Sequence, residues 1–401
     1  MALNEVSKGE RLHIGFFGMR NAGKSSLVNA VTGQSLSVVS PVKGTTTDPV
    51  EKTMELLPLG PVVIIDTPGL DDEGDLGAMR VEKARQTLSK TDIAVLVADG
   101  TAELSEQDKE LLSELKKRGI PTLLVLSKAD LGSSAPISED VKTLRASAVT
   151  GEGINGIKEA LGALAKEKKA PSAIVSDLLS PGDTVVLVTP IDESAPKGRL
   201  ILPQQLTLRD ILDAHCSALV CQDTELKGLL SALSVPPKMV ITDSQAFGKV
   251  APIVPENIPL TSFSILMARY KGDLKNQIAG AAKLAALKDG DKVLISEGCT
   301  HHRQCKDIGT VKIPGWIEGF SKAKPDYTFT SGGEFPADLT EFELIVHCGG
   351  CMLNEAEMKN RVKSAVSAGI PMVNYGIAIA HMHGILKRSI ELFPDILALL
   401  D

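Results

Sequence analysis

The sequence predicts an α/β protein of three domains, each built on a mostly parallel sheet, and three observations predict it. Short runs rich in aliphatic and β-branched residues alternate with helix-like stretches along the whole chain, the pattern of strands covered by helices on both faces. Charge and proline gather in Lys166-Glu167-Lys168-Lys169-Ala170-Pro171, which marks a linker after a helix. At 401 residues with 43% hydrophobic content the chain is long enough for two or three buried cores.

The elements follow in order. In the first domain, residues 1–168, the runs 12–17, 62–66, 93–99 and 122–127 read as buried strands. In the second, 169–268, the runs 185–189, 218–221, 239–242 and 260–263 alternate with helical stretches such as 208–215 and 225–233. That domain carries no recognisable chemical motif. In the third, 269–401, the alanine- and leucine-rich stretch 273–287 reads as one long helix, stopped by Asp289-Gly290-Asp291. Strands at 293–296, 327–330, 343–347 and 371–375 are expected after it.

Composition excludes several classes. Six cysteines in a chain of this length are too few for a disulfide scaffold and point to a reducing compartment. The first eleven residues are polar, without an apolar signal core, and no apolar run is long enough to span a bilayer, so a cytoplasmic protein with no membrane partner is expected. A net charge of -7 with 3% aromatic residues speaks against a nucleic-acid surface, which needs a basic stripe and stacking rings.

The most local motif is Gly18-Met19-Arg20-Asn21-Ala22-Gly23-Lys24-Ser25, a GxxxxGK[ST] loop between an expected strand and an expected helix. Its glycines let backbone N–H groups wrap phosphates, Lys24 reaches the β- and γ-phosphates, and the Ser25 hydroxyl suits Mg2+. Further segments resemble the TrmE-Era-like branch of GTPases, over about the first 165 residues. They are Gly44-Thr45-Thr46-Thr47-Asp48, Asp66-Thr67-Pro68-Gly69, Ser127-Lys128-Ala129-Asp130 and Ser147-Ala148.

The resemblance implies a P-loop GTPase fold and assigns roles. Asn21, Ala22, Gly23, Lys24, Ser25 and Ser26 would contact nucleotide, Thr46 and Ser25 Mg2+, and Asp66 the metal's water shell. Gly69 would sense the γ-phosphate, with Lys24, Thr46, Asp66 and Gly69 as the catalytic group. Ser127, Lys128, Asp130, Ser147 and Ala148 would form the guanine pocket, in which the Asp130 carboxylate excludes adenine. Ser127 replaces the usual asparagine. Leu70 stands where Ras-like proteins carry a water-orienting glutamine, and Asn21 matches the loop asparagine that ligates potassium in the resembling branch, so potassium-stimulated GTP hydrolysis is expected. The branch's acid beyond this motif has no clear match among Asp71, Asp72, Glu73 and Asp75.

Two distant fragments, Cys299-Thr300-His301 and His347-Cys348-Gly349-Gly350-Cys351, read as halves of one soft-metal site. Both fall just beyond expected strands, at the sheet edge where α/β ligand sites form. Gly349-Gly350 lets Cys348 and Cys351 face one centre. Pattern alone leaves zinc on a Cys3His set and a 4Fe-4S cluster with one open iron both standing. A C-x-H and a distant H-C-x-x-C behind such a GTPase domain and a motif-poor middle domain resemble the HydF family of FeFe-hydrogenase maturation GTPases, over essentially the whole chain.

That resemblance implies a 4Fe-4S cluster on Cys299, Cys348 and Cys351, with His301 and His347 as candidates for the fourth ligand or for a supporting role. It implies a homodimer formed through the middle domain. It also implies a scaffold that carries a diiron precursor, made with two radical-SAM maturases, to the apo FeFe-hydrogenase. An RNA-associated GTPase of the same branch and a zinc-stabilised regulatory GTPase are the alternatives. His215, Cys216 and Cys221 fall on a helix and strand of the middle domain and read as core.

Overall fold

Continuous aliphatic runs form central strands because both of their faces can be buried under helices. The computed structural model describes residues 6–34, 49–69, 83, 86–132, 140–167, 173–191, 200–299 and 307–400. The chain divides into two compact units, Met1–Ala170 and Pro171–Asp401, and contains three mostly parallel sheets among the described residues.

The first unit holds β1 (Leu12–Phe17), β2 (Val50–Leu56), β3 (Gly60–Asp66), β4 (Ile93–Asp99), β5 (Thr122–Ser127) and β6 (Lys142–Arg145). They lie in the order β2-β3-β1-β4-β5-β6, with β2 antiparallel and the rest parallel. Helices α1 (Lys24–Thr32), α2 (Glu106–Arg118) and α3 (Ile154–Glu167) accompany it. At the start of α2 the Ser105 hydroxyl accepts from the Asp108 N–H and the Asp108 carboxylate accepts from the Ser105 N–H, a reciprocal cap. Apolar residues of α1 and α3 close one face of the sheet, and those of α2 the other. The four expected strands form, and two further ones, β2 and β6, lie at the edges.

The second unit holds two four-stranded parallel sheets. The first contains β7 (Thr184–Val188), β8 (Ser217–Cys221), β9 (Met239–Thr242) and β10 (Leu260–Ser262), in the order β10-β9-β7-β8. The second contains β11 (Lys292–Glu297), β12 (Asp326–Ser331), β13 (Leu344–His347) and β14 (Met372–Asn374), in the order β12-β11-β13-β14. Its helices include α4 (Leu202–Asp213), α5 (Leu226–Ala232), α6 (Phe263–Lys271), α7 (Leu274–Ala281), α8 (Ile313–Ser321), α9 (Glu355–Ala368) and α10 (Tyr375–Met382). One continuous apolar core runs from Val185 and Ile241 through Phe263 and Leu266 to Val293 and Val346, so α6 belongs to both layers. The long helix expected at 273–287 is instead α7 followed by a 3-10 segment, Ala282–Ala286. α7 is pressed on β14 at Gly280, where a Cβ would stand 2.2 Å from the Met372 carbonyl oxygen, and the final turn tightens as helix ends commonly do.

The register sets the functional edge. Ser296 of β11 pairs with His347 of β13, and His347 with Asn374 of β14. Three strand ends therefore finish level.

Candidate nucleotide site and cysteine centre

Between β1 and α1 the chain turns through conformations that few residues tolerate: Gly18 has φ 143°, Asn21 φ 60° and Gly23 φ 87°. A Cβ at Gly18 would stand 2.1 Å from the Val97 carbonyl oxygen, so only glycine lets the loop pass β4. Lys24 is buried and its Nζ donates to the carbonyls of Gly18 at 2.9 Å and Met19 at 2.7 Å, folding the side chain back over the loop. The Ser25 hydroxyl donates to Asp66 Oδ2 at 2.7 Å. Phosphate loop and β3 end thus meet at the two groups suited to a hydrated divalent cation. Beyond Asp66, the Thr67 hydroxyl donates to the Phe16 carbonyl at 2.7 Å and ties the Asp66-Thr67-Pro68-Gly69 segment to β1.

Of the residues expected from sequence to form a guanine pocket, Ser127 bonds to the same loop, and Lys128, Asp130 and Ser147 are held by other partners. The Ser127 hydroxyl donates to the Ala22 carbonyl at 2.6 Å, so the smaller residue still bridges the end of β5 to the phosphate loop. Lys128 has φ 58° and pairs with Asp99 at 2.6 Å. Burial would raise the Asp99 carboxyl, but hydrogen bonds from Lys128 and Thr101 outweigh it and hold it at about 2. The Ser147 hydroxyl donates to Asp130 Oδ1 at 2.5 Å and accepts from the Val149 and Thr150 N–H groups. A cavity of about 410 Å3 beside this pocket is lined by Ser26, Asn29, Gly33 and Ala148 among others. Thr46 and its segment 44–48, with Leu70 and the acids Asp71, Asp72, Glu73 and Asp75, lie outside the described residues.

The second site is assembled from separated segments. β11 and β13 end side by side, and Gly298 bridges them: a Cβ there would stand 2.7 Å from Leu353 Cγ and 3.3 Å from Gly350 Cα. Its N–H donates to Cys348 Sγ at 3.0 Å, and the Gly350 N–H to the same sulfur at 3.4 Å. Gly350 has φ 61°, which turns the chain back toward Cys351. Cys299, Cys348 and Cys351 are not joined in disulfides and are partly exposed at this edge. Burial pushes the Cys348 thiol up to about 11, the two amides pull it down, and Cys351 and Glu297 add to the rise. Soft sulfur donors with amide hydrogen bonds suit an iron-sulfur group or zinc by their chemistry, but Cys299, Cys348 and Cys351 are not gathered into one metal-holding group in this structure; a bound metal would supply the charge that the Cys348 thiol needs to deprotonate.

His347 has no exposed surface. Its Nδ1 lies 2.7 Å from the Cys348 carbonyl oxygen and its Nε2 3.0 Å from Arg361. Arginine only donates, so Nε2 accepts and the proton sits on Nδ1. Burial, reinforced by the Arg361 charge, lowers this histidine to about 3 against the bond to Cys348, so the ring is neutral. With both nitrogens engaged it orients the Cys348 backbone. His301, His302 and Cys305 lie outside the described residues, and among the described residues no group of three or more metal-ligating His, Cys, Asp or Glu side chains is gathered.

Two buried cations beside the cysteine loop escaped the sequence reading. Arg361, 1% exposed, donates to His347, Ser296, Gly332 and Glu357 and stacks on the Phe335 ring at 5.1 Å. Lys271, also 1% exposed, donates to the carbonyls of Cys351 at 3.0 Å and Leu353 at 2.8 Å. A signal existed for Arg361: it stands with Met358, Val362 and Ala365 on the buried face of α9, at spacing that would otherwise be apolar.

Comparison with known proteins decides the family. The family model for the hydrogen maturase F dimerization domain matches residues 174–272, and that for the hydrogen maturase F tetramerization domain matches residues 275–392. The chain belongs to the hydrogen maturase F family. Its third domain, read from sequence as a cluster domain, thus also matches a tetramerization model, which gave no sequence signal. The first unit matches the model of the 50S ribosome-binding GTPase over residues 13–128, outside the hydrogen maturase F models. It is 36% identical over 127 residues to GTPase Der of Kosmotoga olearia, covering 30% of this chain and 28% of that protein. To the tRNA modification GTPase MnmE of Desulfotalea psychrophila it is 32% identical over 154 residues, covering 36% of this chain and 32% of that protein. The chain therefore spans about a third of the length of these relatives. Among solved structures it is similar to the G domain of the T. maritima FeoB iron transporter, with 27% identity, TM-score 0.31 and coverage of 39% of this chain and 99% of that one. It is also similar to Aquifex aeolicus Era bound to GDP and AlF4-, with 19% identity, TM-score 0.35 and coverage of 53% and 94%.

Proposed function

We propose that this hydrogen maturase F family member is a GTP-hydrolysing scaffold that holds a 4Fe-4S cluster on Cys299, Cys348 and Cys351 and delivers a diiron precursor to apo FeFe-hydrogenase. The observation that carries it is the hydrogen bond from Gly298 N–H to Cys348 Sγ at 3.0 Å, which joins the two cysteine-bearing strand ends. A cluster bound by three thiolates keeps one iron able to accept an outside ligand. The chain's own residues position it: Gly298 and Gly350 donate to the Cys348 sulfur, and His347 holds the backbone of Cys348. His301 is the remaining candidate among the two histidines for direct ligation.

In the first unit, Lys24 leaves the loop carbonyls for the β- and γ-phosphates, Ser25 and Thr46 bind Mg2+, and Asp66 orders its water shell. Gly69 reads the γ-phosphate, Asn21 binds potassium, and Asp130 with Ser127, Lys128, Ser147 and Ala148 selects guanine. Hydrolysis resets the loops around Thr46 and Gly69, which bias contacts with two radical-SAM maturases. The protein works in the cytoplasm as an oligomer formed through the domains near 169–268 and 269–401, with the GTPase domain at 1–168. No helix among the described residues is long and apolar enough to cross a membrane.

Anaerobic reconstitution with iron and sulfide tests the cluster. A brown protein that loses its visible absorption in Cys299→Ser, Cys348→Ser and Cys351→Ser is expected, whereas a colourless protein retaining one zinc sinks this reading for the zinc-stabilised one. GTP turnover should rise when sodium buffer is replaced by potassium; equal rates would remove Asn21 from that role. RNA-stimulated turnover would instead favour an RNA-associated GTPase.

A further inference from the structure

The phosphate loop carries a second cation besides Lys24. Arg20 stands between Met19, whose carbonyl receives the Lys24 Nζ at 2.7 Å, and Asn21, whose φ of 60° turns the chain. Lys24 is buried and Arg20 is exposed. Because Lys24 is the group that reaches the β- and γ-phosphates, the carbonyl it touches marks the side of the loop on which those phosphates come to lie. Arg20 is the next residue from that carbonyl, and its long side chain reaches the γ-phosphate from there.

Arg20 also lines a cavity of about 210 Å3 together with Asn21, Asp99, Glu103 and Asp108. Asp99 is paired with Lys128, Asp108 is 5% exposed and accepts from the Ser105 N–H and hydroxyl, and Glu103 is exposed on the same wall. Carboxylates so close to the phosphate loop oppose an arriving triphosphate, and a cation at position 20 offsets them. Contacts made by an exposed arginine are worth about 0–1 kcal/mol, so Arg20 exchanges those it has for phosphate oxygens at little cost.

Hydrolysis calls for such a charge. A water oxygen bonds to the γ-phosphorus while the bond from that phosphorus to the β,γ-bridging oxygen breaks. The bridging oxygen keeps the electron pair and leaves with GDP; one proton of the water stays on the phosphate and the other goes to solvent. Negative charge builds on the phosphate oxygens during this step, and Leu70, standing where a glutamine would orient the water, offers no hydrogen bond.

We propose that Arg20 is a catalytic residue of GTP hydrolysis: its guanidinium moves from the acidic cavity to the γ-phosphate and bridging oxygens and donates to them as their charge builds. The planar fork of arginine suits two phosphate oxygens at once. This rests on the reading of the first unit as GTP-hydrolysing. It gives the loop, in the same chain, the charge that other GTPases take from an arginine finger, beside the potassium assigned to Asn21 and not in its place.

The test uses the full chain as wild type and as Arg20→Ala, Arg20→Gln and Arg20→Lys, with folding read by circular dichroism. GTP turnover is measured at saturating GTP in potassium buffer, and GDP affinity by calorimetry with and without aluminium fluoride, which with GDP mimics the phosphoryl group in transfer. Both neutral variants should lose about 10²-fold in turnover, bind GDP as the wild type does, and lose the tightening by aluminium fluoride. Arg20→Lys, which keeps the charge without the fork, should recover part of the rate. A wild type that turns over no GTP overturns the GTPase reading itself, not the place of Arg20 within it. A folded neutral variant with wild-type turnover overturns the proposal. So does a loss of turnover matched by an equal loss of GDP affinity with the aluminium fluoride effect intact, since Arg20 would then serve binding alone. Should Arg20→Ala fail to fold, Arg20→Gln carries the same comparison.

Discussion

The phosphate loop and the cysteine loop both sit at carboxyl ends of parallel strands, yet they are built by opposite means. The first is made from consecutive residues, and its shape is written in backbone: Gly18, Asn21 and Gly23 take left-handed conformations and Lys24 folds over the carbonyls of its own loop. The second joins β11, β13, α6 and α9, and its shape depends on buried cations from elsewhere in the chain, Lys271 and Arg361. A site of the first kind tolerates changes outside it. One of the second kind fails when a distant charge is removed.

The largest expected effect tests that difference directly. Arg361→Met leaves His347 Nε2, the Gly332 carbonyl and Glu357 without their shared donor. Breaking a buried ionic partnership typically costs about 3–5 kcal/mol. Hydrogen exchange should show that loss in β11 and β13, with β1 and β4 protected as before. Equal loss in both units would dissolve the contrast.

The reciprocal change is Lys24→Ala. Removing a donor aimed at developing phosphate charge should lower GTP turnover by about 10²–10³-fold, while cluster loading, read by iron content, stays at the wild-type level. A fall in iron content would mean that the phosphate loop is not self-contained.

Legibility from sequence follows the same division. The GxxxxGK[ST] loop could be read because its chemistry is local, and the strands 12–17, 93–99 and 122–127 because they are aliphatic on both faces. β2, Val50-Glu51-Lys52-Thr53-Met54-Glu55-Leu56, and β6, Lys142-Thr143-Leu144-Arg145, were not, since each is an edge strand held by one ladder and mostly turned to solvent. Cys348 and Cys351 stood out as a pair. That His347 would be a buried ring with both nitrogens engaged could not be seen, because Arg361 reaches it only through the packing of α9 on β13.

The two buried histidines among the described residues allow a subtler comparison. His13 in β1 is lowered by burial, but Asp92, 3.7 Å away, and the Arg11 carbonyl favour its protonated form. His347 is lowered by burial and further by a cation, to about 3. In each case the unfolded chain takes up a proton near pH 6.5 that the folded chain refuses, so stability is full above that pH and declines as pH falls toward the folded value. For His347 the decline should reach roughly 2 kcal/mol between pH 7 and 5. The decline at His13 should be smaller, because its neighbours partly restore the proton. Exchange protection of β13 should therefore fall faster with acid than that of β1, and His347→Gln should flatten the β13 profile; parallel profiles would mean that Arg361 does not act on this ring.

The smallest effect concerns the residue that departs from the guanine-reader pattern. Ser127 keeps the bridge to the Ala22 carbonyl with a shorter side chain, at 2.6 Å, and is only 2% exposed. Ser127→Ala removes the donor and leaves a buried carbonyl short of one partner, worth about 1 kcal/mol. If the bridge holds the base loop against the phosphate loop, GDP affinity should weaken about fivefold by that amount, with turnover at saturating GTP little changed, because Lys24 and Asp66 are untouched. Ser127→Asn, which restores a longer donor, should recover affinity only if the loop has room for it. Gly23 sets that limit, for a Cβ there would already lie 3.5 Å from the Ser127 oxygen. Unchanged GDP affinity in Ser127→Ala would show that the two loops are held by backbone alone, and would make the nucleotide site still more local than its contrast with the cysteine loop requires.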